Sequence, residues 1–92
     1  MVIEADKNII LRYAKKYKVK EIILFGSSLQ KDNADDIDLG IKGIEPGLFF
    51  KFYGELLLAL SKPVDLVDLT KENSFNRIIE REGVKLYGLF GR

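Results

Sequence analysis

Two short stretches constrain this chain more than anything else in it. "DIDLGIK" (36–42) and "PVDLVDL" (63–69) each alternate apolar with polar side chains, the period of a strand with one buried face. Between them, "GIEPG" (43–47) breaks the chain and opens a predicted helix over 47–61. Its core side carries Phe49, Phe52, Tyr53, Leu56, Leu57 and Leu60; Lys51, Glu55 and Lys62 mark the wet side, where Leu58 also falls. A strand, a crossing helix and a second strand make parallel neighbours, because a tight turn cannot join parallel strands.

The remaining elements fill in around that unit. Residues 6–17 read as a helix that Asp6 can cap, with Ile9, Ile10, Tyr13, Ala14 and Tyr17 on one face. "EIILFG" (21–26) is a β-branched apolar run closed by Gly26, a buried strand. Residues 27–35 are polar loop, with a helical turn starting at Ser27 as one reading. After the third strand, Thr70 or Ser74 caps a helix bearing Phe75, Ile78 and Ile79, and Gly83 suits a left-handed C-terminal position. "VKLYG" (84–88) forms a short last strand. The order helix, strand, strand, helix, strand, helix, strand is that of an α/β (α+β) sandwich: a small mixed sheet with helices packed on it. With 92 residues and no linker, repeat or low-complexity tract, residues 1–92 read as a single domain.

Composition narrows the chemistry. There is no cysteine and no histidine, which removes thiolate zinc sites, cysteine nucleophiles and the commonest general base. Any metal here is a hard cation held through oxygen, Mg²⁺ before Mn²⁺ and either before Zn²⁺. The formal net charge of +1 creates no global field for nucleic acid or acidic membranes, so direct nucleic-acid binding is not expected. Locally the charge is uneven: Lys7, Arg12, Lys15, Lys16, Lys18 and Lys20 occur without an acid among them, and acids gather at 32–38 and 65–82. The start "MVIEADKNII" lacks a signal-peptide pattern and no apolar run has membrane-spanning length, so a cytoplasmic protein with no membrane contact is expected.

Alternation sets Asp36 and Asp38 side by side on one strand face, where like charges repel. Asp65 begins a strand that the crossing helix brings next to theirs, so three carboxylates can converge at one edge of the sheet. A divalent cation makes such a cluster favourable, and paired ions bridged by shared carboxylates hold a phosphate for in-line attack. "LFGSS" (24–28) supplies a place for that phosphate: Gly26 lets the backbone turn sharply, and Ser27 offers a hydroxyl and an amide. The plainer alternatives are solvated strand-edge acids at 36 and 38, a surface acid at 65 and a simple helix cap at Ser27.

Gly26-Ser27, then eight residues, then Asp36-Ile37-Asp38, then a distal strand Asp resembles the Gly-Ser…Asp-x-Asp…Asp signature of the polymerase-β-like nucleotidyltransferases. The size and the ending "RIIEREGVKLYG" are similar to minimal nucleotidyltransferase (MNT) domains, and the likeness runs from "EIILFGS" to "LYG". The resemblance implies that Gly26 and Ser27 hold the phosphates of a nucleoside triphosphate, with ATP as substrate. It implies that Asp36, Asp38 and Asp65 are catalytic and bind Mg²⁺, with Asp68 as the rival for the third place. Stand-alone MNT domains resemble antitoxins encoded beside a HEPN-type RNase toxin, which they modify by adding AMP to a hydroxyl. The expected protein is therefore a Mg²⁺-dependent nucleotidyltransferase acting on a HEPN-family partner. The alternative is a binding module with a weak or inactive site that neutralises its partner by occupancy. Homo- and hetero-oligomers are both left open.

Overall fold

In a computed structural model, residues 2–26 and 35–88 are described. Helix α1 (Glu4–Lys16) leads into strand β1 (Glu21–Phe25), and β2 (Ile37–Lys42) follows. A 3₁₀ turn at Pro46–Leu48 opens α2 (Phe49–Ala59); β3 (Val64–Asp68), α3 (Ser74–Glu82) and β4 (Val84–Gly88) complete the order. The strands form one mixed sheet in the order β3-β2-β1-β4. As the crossing helix requires, β2 and β3 are parallel, while β1 is antiparallel to both β2 and β4.

Strand alternation sorts side chains onto the two faces. On one face Ile22 and Leu24, Ile37, Leu39 and Ile41, and Val64 meet Ile10, Ala14 and Tyr17 of α1 and Phe52 and Leu56 of α2. The helix stripes predicted from the sequence supply these contacts, although Leu57 is about half exposed rather than in the core. The other face holds a smaller cluster, Ile23 and Leu69 with Ile79 of α3. Gly40 of β2 belongs to this face, and a Cβ there would collide with Leu69. Lys42 clamps the same helix from β2 by donating to Glu80 at 2.8 Å, a bond that raises the lysine pKa.

Several helix ends differ from the sequence expectation. Asp6 does not cap α1: the helix begins at Glu4, and Asp6 lies buried within the first turn. Its carboxylate accepts hydrogen bonds from the backbone N–H and hydroxyl of Ser61, tying the start of α1 to the end of α2. Neither Thr70 nor Ser74 caps α3; Asn73 does, accepting from the Asn76 N–H at 2.8 Å. Gly83 is not left-handed but extended (φ −77°, ψ 170°). It is required by space: a Cβ there would meet the Ile23 side chain and the carbonyl oxygens of Ile79 and Leu24. Asn76 takes an inward position on α3 by donating to the Asp68 and Lys71 carbonyls at 3.2 and 2.9 Å, which leaves Phe75 and Ile78 largely exposed.

Tyr17 and Phe52 pack edge to face with ring centroids 5.4 Å apart, and the Tyr17 hydroxyl donates to Glu55 at 2.7 Å. That bond pushes the phenol up to about 12, and the same hydroxyl, followed by Lys16 at 3.2 Å, holds the Glu55 carboxyl below its ordinary range. No helix among the described residues is long and apolar enough to cross a membrane.

Candidate active site

β1 ends where β2 begins, because the two are antiparallel; β3 begins there too, because it is parallel to β2. One end of the sheet therefore gathers the end of β1 and the starts of β2 and β3. Phe25 pairs with Asp38, and Asp38 pairs in turn with Asp65. Directly paired residues share a face, so Asp38 and Asp65 stand next to each other on the side covered further along by α3. Asp38 is half-buried and Asp65 exposed. Two like charges directly opposite are unfavourable by themselves.

Gly26 closes this arrangement. It turns out of β1 with φ +73°, a conformation that suits glycine, and a Cβ on it would collide with the Asp38 carboxylate. The turn backbone thus lies directly against the half-buried acid. Ser27, assigned to the phosphate from the sequence, lies outside the described residues, as does the helical turn read at that position.

Asp36 lies in a bend one residue ahead of β2 and is exposed, so it is not the first residue of the strand as the sequence suggested. Among the described residues, no group of three metal-ligating side chains is already assembled closely enough to hold an ion. Asp38 and Asp65 together offer only carboxylate oxygens, the donor type that Mg²⁺ and Mn²⁺ prefer, and that chemistry fits such an ion. Asp68 is elsewhere: it pairs with Ile41 at the far end of β3, alternates onto the opposite face, and accepts the Thr70 N–H at 2.9 Å.

A feature that the sequence reading missed adjoins Gly26. Phe25, Phe75, Ile78, Ile79 and Gly83 line a mostly apolar cavity of about 290 Å³, in which the rings of Phe25 and Phe75 meet edge to face at 6.1 Å. In the sequence Phe75 and Ile78 are only apolar positions of this helix, and helical spacing alone sets them toward the sheet. The signal against that was Asn76, whose amide competes for the inward position on α3.

Comparisons with known proteins bear on this geometry. A family model described as "Polymerase beta, Nucleotidyltransferase" matches residues 7–89. No curated protein matches. Among solved structures, a toxin–antitoxin with AMP-PNP is 26% identical with TM-score 0.74, over 91% of this chain and 74% of that one. A complex of tri-AMPylated Shewanella oneidensis HEPN toxin with MNT antitoxin is 25% identical with TM-score 0.68, over 90% and 70% of the two chains. The toxin–antitoxin MntA–HepT is 24% identical with TM-score 0.70, over 94% and 73%, a likeness of fold. The family match spans all four strands, including the Gly26 turn after β1 and the starts of β2 and β3: the chain belongs to the polymerase beta nucleotidyltransferase family.

Proposed function

We propose that this protein moves AMP from ATP onto a hydroxyl of a partner protein, a HEPN-type RNase toxin for which it is the antitoxin. The single observation that carries this reading is the pairing of Asp38 with Asp65 directly against the Gly26 turn. It joins a carboxylate pair to a backbone bend open to a phosphate. Solved structures similar to this chain include a toxin–antitoxin with AMP-PNP and an AMPylated HEPN toxin with its MNT antitoxin, and both support the choice of nucleotide and partner. A protein acceptor also suits a chain whose α2 exposes Phe50 at 79% and Leu58 at 90%.

In this reading Asp36, Asp38 and Asp65 would hold Mg²⁺, or Mn²⁺ in its place, Asp36 reaching it from its exposed bend. When bound, the ion offsets the negative charge that builds on the phosphoryl group in transfer. Gly26 and Ser27 orient the triphosphate through backbone amides and the serine hydroxyl. The acceptor oxygen bonds to the α-phosphorus as the bond to the bridging oxygen breaks, pyrophosphate leaves with that electron pair, and Asp65 accepts the hydroxyl proton. The apolar cavity beside Gly26 receives the non-phosphate part of whatever is held at the turn. Cytoplasmic ATP supplies the reaction.

The test is incubation with ATP labelled in its α-phosphate, Mg²⁺ and the HEPN-family protein encoded beside this gene. Label on the partner that disappears with Asp38→Asn is the expected result. A tight complex that never acquires label, unchanged by that substitution, overturns the transfer reading in favour of an antitoxin that works by occupancy.

A further inference from the structure

The sheet end opposite the acidic pair carries a second cavity, of about 750 Å³, within the range of roughly 300–1,000 Å³ typical of small-molecule sites. Lys16 and Lys18 from the end of α1, Lys20 at the entry to β1, Ile44 and Leu48 after β2, and Thr70 after β3 are among its walls. Of the three lysines, Lys16 is engaged by Glu55 at 3.2 Å. Lys18 and Lys20 are exposed and form no ion pair among the described residues. The wall acid Asp68 is turned to the Thr70 N–H.

Two backbone features present these two cations. Lys18 is left-handed (φ 56°), the one non-glycine residue so placed among the described residues. It closes α1 through Lys18 N–H to the Lys15 carbonyl (3.2 Å) and Val19 N–H to the Ala14 carbonyl (3.0 Å), at a position where glycine is the usual occupant. The helix gains little from a further cation there, because Lys15 and Lys16 already face its negative end. Gly43 is also left-handed (φ 81°), and any Cβ on it would run into the Lys20 stem, so its bare backbone is what lets that lysine lie along the cavity wall.

We infer that this cavity binds a phosphorylated small molecule, with the phosphate on Lys18 and Lys20 and an apolar body against Ile44, Pro46 and Leu48; a nucleotide is the simplest member of the class. A compact group with close to two charges matches two free ammonium ions, where a single carboxylate would leave one unmatched. The site is independent of the transfer reaction, so the two readings fail separately.

The test uses the full chain carrying Asp38→Asn in EDTA, which silences the acidic end, and follows backbone amide NMR shifts on titration with AMP, ATP and pyrophosphate. Saturable shifts at Lys18, Lys20, Gly43, Ile44 and Thr70 with AMP and ATP are expected. Lys20→Gln is expected to weaken binding roughly tenfold or more. Lys18→Gly is expected to weaken it similarly while raising Tm by about 3–6 °C, since glycine relieves the left-handed strain. Amides unmoved by millimolar nucleotide overturn the proposal. So do shifts that persist unchanged in both lysine variants, or shifts produced only by an RNA oligomer or an acidic peptide.

Discussion

The two faces of the sheet are built to different ends. One is roofed by α1 and α2 over a continuous apolar cluster, bolted at its margins by Asp6 with Ser61 and by Tyr17 with Glu55. The other has α3 alone, whose Ile79 packs on Ile23 and Leu69, and beyond the reach of that helix Asp38 and Asp65 stand in register. The difference teaches where a small fold can tolerate unfavourable charge. Burial on the two-helix face offsets the repulsion of the acids, and the acids sit where little packing depends on them.

That contrast can be broken most severely from its apolar side. Phe52→Ala, at a fully buried position packed on Tyr17, is expected to cost about 3–5 kcal/mol in urea unfolding; Ile79→Ala, on the buried side of the single helix, about 2–3 kcal/mol. Equal losses would erase the distinction between the faces. On the acidic side the dependence reverses. Asp38→Asn or Asp65→Asn is expected to lower AMP transfer by about 10²–10³-fold, and Asp65→Asn to leave Tm unchanged or higher, because a like-charge pair is relieved. A large drop in Tm from Asp65→Asn would show that this acid holds the fold together. Smaller again is Asp6→Ala, which removes the buried carboxylate that accepts from the Ser61 N–H and hydroxyl and should cost about 1 kcal/mol with transfer unaffected in the remaining folded protein.

The smallest effect is a titration. The Tyr17 proton is held more tightly in the folded state than in the unfolded chain, since its pKa rises from 10.0 to about 12. Its contribution to stability is therefore complete below pH 10 and disappears as pH rises through about 12. Glu55 shifts the other way: its contribution is present above the ordinary carboxylate range and is lost as pH falls through the lowered value. Of the four tyrosines, one should ionise last by ultraviolet absorbance, and Tyr17→Phe should delete that phase. A last phase that survives the substitution would place the clamp elsewhere.

Much of this was legible in the sequence because it follows from periods. Alternation in "DIDLGIK" and "PVDLVDL", with a helix between, is enough to make β2 and β3 parallel. The same alternation sets Asp65 and Asp68 on opposite faces. What periods do not carry is competition among polar groups and shape at close approach. Asp6 has the chemistry of a cap, but a carboxylate that can reach Ser61 across the fold is worth more there than at its own helix end. Asn76 turns inward for two carbonyls and so tips Phe75 outward into a cavity. Gly83 carries the mark of a left-handed stop, yet its small size serves the closeness of Ile23 and the Leu24 carbonyl. Asp36 missed the strand by one residue, the ordinary uncertainty of an element's end.

The place of β1 in the sheet has a consequence for how the chain is made. β1 lies between β2 and β4, and β4 follows it in the chain by about sixty residues, after every other described element. At synthesis rates of ~5–20 residues/s, the interval between translation of Phe25 and of Val84 is roughly 3–12 s. During that time Ile22, Ile23 and Leu24 lack one hydrogen-bonding neighbour and present a bare, β-prone edge to every other nascent chain. The newborn protein is thus most at risk of sticking to its copies before β4 emerges from the ribosome, and a chaperone that masks residues 21–25 would guard that window.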